Sequence, residues 1–248
     1  MIFRICVLLT AILFLSACGD FSGSDSVPDN KEARQGSQNP VTDEHPVMGP
    51  KRTILAFGDS LFAGYNVASQ DSYPAKLEAS LRVRGINAQV INAGVSGDTS
   101  AAGLQRLAFT LDAQDTVPDL VLLELGGNDL LRGLPVEETK ANLSAILTEL
   151  DKRKIPVLLV GMRAPPNLGQ DYQTRFDAIY PDLAKQYNTA YLPFFLEPVY
   201  NRPELVQPDH IHPTERGIEE LVGASAQYVV DALPATGGTS AGKQEVAP

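Results

Sequence analysis

Between about Arg52 and Asp231, short apolar runs alternate with longer stretches in which apolar residues recur every three to four positions. The short runs cover residues 53–57, 89–92, 119–125, 155–160 and 189–192, each of strand length. The run 119–125, DLVLLEL, is nearly unbroken, the pattern of a strand covered by helices on both faces. Residues 71–84 place Tyr73, Leu77 and Leu81 four apart on one helical face, and Gly85 lets the chain turn out of that helix. A second helix is expected over 99–109, with Leu104 and Leu107 or Ala108 facing inward. Pro135 opens a third, whose Glu137 and Glu138 suit the positive end of its dipole and whose Leu143, Ile146, Leu147 and Leu150 form a buried stripe. Residues 172–187 and 214–232 complete the helices. Strand and helix alternate five times, which predicts an α/β domain with a mostly parallel sheet between helices and right-handed crossovers. In such folds the reactive groups stand on loops at the carboxyl ends of the strands.

The pattern fails at both ends of the chain. Residues 1–18, MIFRICVLLTAILFLSAC, carry Arg4 ahead of an apolar run that ends at Leu15. That run is roughly half of the ~20 residues a bilayer span needs, so a cleaved secretory signal over 1–17 is expected rather than a permanent membrane helix. Leu15-Ser16-Ala17-Cys18 resembles the lipobox of bacterial lipoproteins, which implies a lipid on Cys18; the alternative is an ordinary signal cut near Ala17. Gly19 after the cysteine, in place of an acidic residue, favours the outer membrane, facing the periplasm, over the inner one; without a lipid the protein is soluble in the periplasm or secreted. Residues 18–51 are rich in Gly, Ser, Pro, Asp and Asn and read as a flexible tether, in which His45 is a solvated residue without function. Residues 52–232 form the folded domain, and 233–248 read as a disordered tail.

Composition narrows the choice of function. Twenty Lys and Arg against thirty Asp and Glu give a formal charge of -10, which argues against a nucleic-acid partner. Of the two cysteines, Cys6 lies in the signal, so no intrachain disulfide is available to the processed chain.

Four loops carry residues with chemical potential. Gly58-Asp59-Ser60-Leu61 leaves the first strand, and Ser60 is either a nucleophile at a helix start or a serine capping that helix. Pro208-Asp209-His210-Ile211-His212-Pro213 holds two of the three histidines. A base drawn from this loop, His212 or His210, would have Asp209 close enough to orient its ring. Ser96-Gly97-Asp98-Thr99 follows the second strand, where the Gly97 N–H can face an anion. Leu125-Gly126-Gly127-Asn128-Asp129 follows the third, and the Asn128 amide is a neutral donor. Each loop alone also fits an ordinary turn.

Together the four resemble the SGNH, or GDSL-type, hydrolases, in particular the bacterial branch that holds thioesterase I (lysophospholipase L1) and related arylesterases. The matching blocks are Phe57-Gly58-Asp59-Ser60-Leu61-Phe62-Ala63-Gly64-Tyr65, Asn92-Ala93-Gly94-Val95-Ser96-Gly97-Asp98-Thr99-Ser100, Glu124-Leu125-Gly126-Gly127-Asn128-Asp129-Leu130-Leu131-Arg132-Gly133 and Asp209-His210-Ile211-His212-Pro213. The resemblance spans about residues 53–230 and implies a flavodoxin-like three-layer α/β/α sandwich with five parallel strands. It implies Ser60 as nucleophile, His212 as base and Asp209 as its orienting acid. The Ser60 N–H, the Gly97 N–H and the Asn128 amide would form the oxyanion hole. It implies ester, lysophospholipid or thioester hydrolysis through an acyl-enzyme, with no metal or organic cofactor. The long tether departs from relatives whose domain starts soon after the signal. The G-x-S-x-G elbow of the α/β-hydrolases does not occur in the chain.

Phe62, Tyr65, Leu130, Pro165, Pro166 and Leu168 are candidates for an acyl groove, or else ordinary packing residues. Two other functions fit some of the residues. Asp59, Asn128, Asp209, His210 and His212 are ligand types for a metal-dependent phosphoesterase, though a second His/Asp cluster is missing from the sequence. A non-catalytic surface lipoprotein that binds a glycan or partner is the other.

Overall fold

The computed structural model describes residues 47–235. Cys6, Cys18, His45, most of the expected tether and the end of the tail lie outside them. Five strands, β1 (Arg52–Gly58), β2 (Ala88–Gly94), β3 (Leu120–Glu124), β4 (Val157–Val160) and β5 (Ala190–Leu192), form one sheet in the order β2-β1-β3-β4-β5. Every pairing is parallel. The helices are α1 (Ser60–Ala63), α2 (Tyr73–Val83), α3 (Ser100–Asp112), α4 (Gly127–Leu131), α5 (Val136–Lys152), α6 (Gln170–Asp177), α7 (Ile179–Tyr187) and α8 (Glu215–Ala232). α2 packs on α8 in one layer, and α3, α5 and α7 pack in sequence in the other, so the architecture is an α/β/α sandwich. The interior strands β1 and β3 are buried along their whole length, as their nearly unbroken apolar runs require.

The strand order reverses direction beside β1, because the chain passes first to β2 on one side and then to β3 on the other. The crevice above such a switch point is where open α/β sheets bind ligands. Register sharpens the point: Gly58 is paired with both Gly94 and Glu124, so β1, β2 and β3 end level with one another. The loops that follow therefore emerge side by side.

Two helices differ from the periodicity reading. Residues 172–187 are divided at Ala178 between α6 and α7. Pro181 is the cause: it has no N–H for the Asp177 carbonyl and is tolerated only in the first turn of a helix, which α7 supplies by starting at Ile179. In α3 the buried face is Gly103, Leu107 and Leu111, with Leu104 half-buried and Ala108 exposed. The smallest residue marks the closest approach, since a Cβ on Gly103 would stand 2.3 Å from the Leu125 side chain.

Candidate active site

The Ser60 loop is built by its neighbours. The Asp59 carboxylate caps α1 by accepting the Leu61 N–H at 3.0 Å, which places Ser60 as the first helical residue with its hydroxyl free to face outward. Asp59, not Ser60, is thus the cap. The hydroxyl meets His212: Nε2 to Ser60 Oγ is 2.8 Å, and Nδ1 to Asp209 Oδ2 is 2.7 Å. Asp209 Oδ1 accepts the backbone N–H of Ile211 and of His212, each at 3.0 Å. Partial burial raises the Asp209 carboxyl, but the His212 and Ile211 N–H groups and the imidazole outweigh it and bring its pKa down to about 2. A carboxylate at Nδ1 fixes the tautomer in which Nε2 accepts the serine proton.

The histidine loop is held by a strained turn. His210 has a φ of 61°, a left-handed conformation that histidine tolerates better than most residues. The Gln207 amide donates to the carbonyls of Tyr65 at 3.0 Å and Pro213 at 2.9 Å, tying this loop to the Ser60 loop. The Tyr65 ring stacks on the imidazole, with centroids 4.2 Å apart. Gln207 was not visible as a site residue in the sequence, and Tyr65 was visible only as a candidate groove residue.

Asn128 lies in the short helix α4 rather than a plain loop, and its Nδ2 donates to Asp59 Oδ2 at 2.9 Å. Asn128 also borders the cleft above Ser60. Gly97 adopts a φ of 85°, which only glycine reaches without strain. No hydrogen bond among the described residues uses the N–H of Ser60 or Gly97. Asp129, next to Asn128, is buried and accepts from the Ser100 N–H at 2.7 Å and the Ser100 hydroxyl at 2.5 Å, which joins α4 to the start of α3.

Beneath this surface sits Glu124, the last residue of β3, fully buried, with the Asp59 N–H donating to its Oε2 at 3.2 Å. Its other oxygen has no partner among the described residues. Burial, reinforced by the nearby Asp59 charge, pushes the Glu124 pKa well above its usual 4.5. Asp59 is also raised by burial, but the Leu61 N–H and the Asn128 amide favour its anion. Glu124 is therefore the member of the pair that holds its proton more tightly. The unfolded chain releases that proton above about pH 4.5, so Glu124 costs stability progressively as pH rises. Glu124→Gln has no proton to release. Its melting temperature relative to the parent is expected to rise as pH climbs above about 4.5; a constant or falling difference would contradict a raised Glu124 pKa.

A cleft of about 440 Å³ opens over these groups, walled by Tyr65, Leu130, Leu131, Pro165, Phe194 and Ile211. Pro166 lines a neighbouring cavity of about 310 Å³, and Leu168 is exposed on the turn that follows. Phe62 corrects the sequence expectation. It is 0% exposed, stacked on Tyr73 at 5.1 Å and edge-on to Phe195 at 5.7 Å, because α1 turns that side chain into the core. Phe62→Ala is expected to destabilise the fold by about 3–5 kcal/mol in urea unfolding, as deletion of a buried phenyl group does. Among the described residues, no group of three or more His, Cys, Asp or Glu side chains is placed to hold a metal.

A doubly wound sheet with a Ser–His–Asp chain of hydrogen bonds at its switch point defines a serine hydrolase. Residues 56–219 match the model of the GDSL-like lipase/acylhydrolase family, and the chain belongs to that family. It is 42% identical over 180 residues to an arylesterase of Vibrio mimicus, covering 73% of this chain and 89% of that one. It is 43% identical over 161 residues to thioesterase 1/protease 1/lysophospholipase L1 of Escherichia coli, covering 65% and 75%. The crystal structure of AlinE4, an SGNH-hydrolase family esterase, is 64% identical, covers 76% of this chain and all of its own, and superposes with a TM-score of 0.65. The protein is a carboxylic ester hydrolase that works through an acyl-enzyme.

Proposed function

We propose that Ser60 is the nucleophile, His212 the general base and Asp209 the group that orients it, with the N–H groups of Ser60 and Gly97 and the Asn128 amide as the oxyanion hole. The observation that carries this reading is the continuous path from Asp209 Oδ2 through His212 to Ser60 Oγ, with both links under 3 Å. Attack of Ser60 Oγ on the carbonyl passes its proton to Nε2, and the carbonyl oxygen becomes an anion among the three donors. His212 then gives the proton to the leaving alcohol or thiol as the C–O or C–S bond breaks. Water, deprotonated by the same nitrogen, releases the acid and restores Ser60.

The apolar walls of the cleft suit an acyl or aryl group, and the relatives named above are an arylesterase and a thioesterase/lysophospholipase. The proposed substrates are aryl esters, short to medium acyl esters and lysophospholipids, with acyl-thioesters as further substrates in vitro. Hydrolysis of p-nitrophenyl butyrate, phenyl acetate, lysophosphatidylcholine and butyryl-CoA by the purified protein tests this. The oxygen esters should turn over with the higher kcat/KM, and a strong preference for the thioester would reverse the ranking.

The proposed organisation is a signal over 1–17, a tether over 18–51, the hydrolase domain over 52–232 and a tail beyond it. Lipid on Cys18 would hold the domain at the bacterial envelope, with the outer membrane favoured. The support is the lipobox-like Leu15-Ser16-Ala17-Cys18 and Gly19 after it. Among the described residues no helix is long and apolar enough to cross a membrane. Cys18→Ser should move the protein from the membrane fraction to the soluble one.

A further inference from the structure

Gly97 is carried by a loop with little to hold it. It follows β2, the edge strand of the sheet, so only β1 flanks it. Val95 and Ser96 are exposed, and the loop's own backbone ties are Val95 N–H to the Gly58 carbonyl at 3.0 Å and Asp98 N–H to the Val95 carbonyl at 3.1 Å. One side chain bridges this loop to the nucleophile strand. Arg106, on α3, donates through Nε to Asp98 Oδ2 at 2.6 Å and through Nη2 to the Gly58 carbonyl at 3.0 Å. Its guanidinium lies over the Phe57 ring, 4.0 Å from the centroid. The Arg106 and Asp98 side chains are 20% and 12% exposed, so the pair is shielded from solvent. Asp98 directly follows Gly97, and Gly58 stands two residues before Ser60.

We propose that Arg106 is a positioning residue for the oxyanion hole: its planar fork sets the distance between the loop that carries the Gly97 N–H and the strand end that carries the Ser60 N–H. The argument rests on the proposed roles of those two groups. A guanidinium holds its donors in one rigid plane and offers a flat face, and both are used here; a lysine ammonium has donors but neither the fixed planar spacing nor the stacking face. A second arginine acts on the same loop, since Arg132 Nη2 donates to the Gly97 carbonyl at 2.8 Å, but it is exposed and touches only one of the two loops. Arg106 is not among the residues that line the cleft. Its effect is geometric, and small displacements of oxyanion donors are costly to rate.

The test is steady-state hydrolysis of p-nitrophenyl butyrate with active sites counted by fluorophosphonate titration. Arg106→Gln is expected to lower kcat per active site about 10- to 100-fold with KM within about twofold of the parent. Arg106→Lys should recover only part of the loss. Affinity for a trifluoromethyl ketone, which forms a tetrahedral adduct, should fall in step with kcat/KM. Arg153→Gln, which removes an arginine paired with Asp112 and Glu149 far along the chain, should leave kcat unchanged. If Arg106→Gln does not fold, Asp98→Asn removes the ion pair and carries the same expectation. A kcat per active site within about threefold of the parent in the folded variant overturns the proposal. Asn128→Ala separates this from failure of the reading beneath it. A loss there with none at Arg106 or Asp98 overturns the clamp alone, and a parental kcat there overturns the oxyanion hole and the clamp together.

Discussion

Ser60→Ala is expected to lower kcat for p-nitrophenyl butyrate by about 10³-fold or more while the protein stays folded. Among the described residues the hydroxyl bonds to His212 Nε2, and that ring keeps its stacking on Tyr65 and its bond to Asp209 when the hydroxyl is gone. The α1 cap is unaffected because Asp59 supplies it. The loss should therefore appear in kcat with an unchanged melting temperature. The residual rate reflects the oxyanion donors and substrate binding, which persist without the nucleophile. A variant that kept the parental rate would assign the reaction to another group.

The second large effect concerns Asn128. Removing one oxyanion-hole donor typically costs about 3 kcal/mol of transition-state stabilisation, a factor of ~10²–10³ in kcat. On its proposed role, Asn128→Ala should show a loss of that size with KM little changed, since a donor of that kind acts on the oxygen chiefly once it carries charge. The same side chain donates to Asp59 Oδ2, so the variant also leaves that buried carboxylate with one donor fewer. Measuring kcat against urea stability separates the two roles. Deletion of the donor lowers kcat at saturating substrate in fully folded protein, whereas loss of the Asp59 bond lowers the unfolding midpoint.

Much of this arrangement was legible in residue order. Parallel strands must end in loops on one side of the sheet, so four short polar motifs placed after apolar runs were bound to come near one another. The run 119–125 announced a central strand by its lack of polar residues. What that reading passed over was the exception inside it: Glu124 is an acid in a fully buried position, where burial raises its pKa and its carboxyl receives the Asp59 N–H. The choice between His210 and His212 could not be made from spacing, since both neighbour Asp209. It is decided by the backbone: with Ile211 and His212 both donating to Asp209 and His210 in a left-handed turn, only the His212 ring is brought to Ser60. Helix periodicity weighs large side chains: it placed Leu107 and Leu104 on the inward side of α3 but passed over Gly103, which makes the closest contact. It also overlooked Pro181 as the break between α6 and α7. Phe62 follows Ser60 by two residues, and only the turn of α1 shows that the two side chains point to opposite sides.

Covalent trapping tests the central claim most directly. The protein is treated with a fluorophosphonate and digested, and the adduct is located by tandem mass spectrometry. A single adduct on Ser60, formed rapidly in the parent and slowed by orders of magnitude in His212→Gln, is the expected result. An adduct on another residue, or none on a preparation that hydrolyses esters, would contradict it.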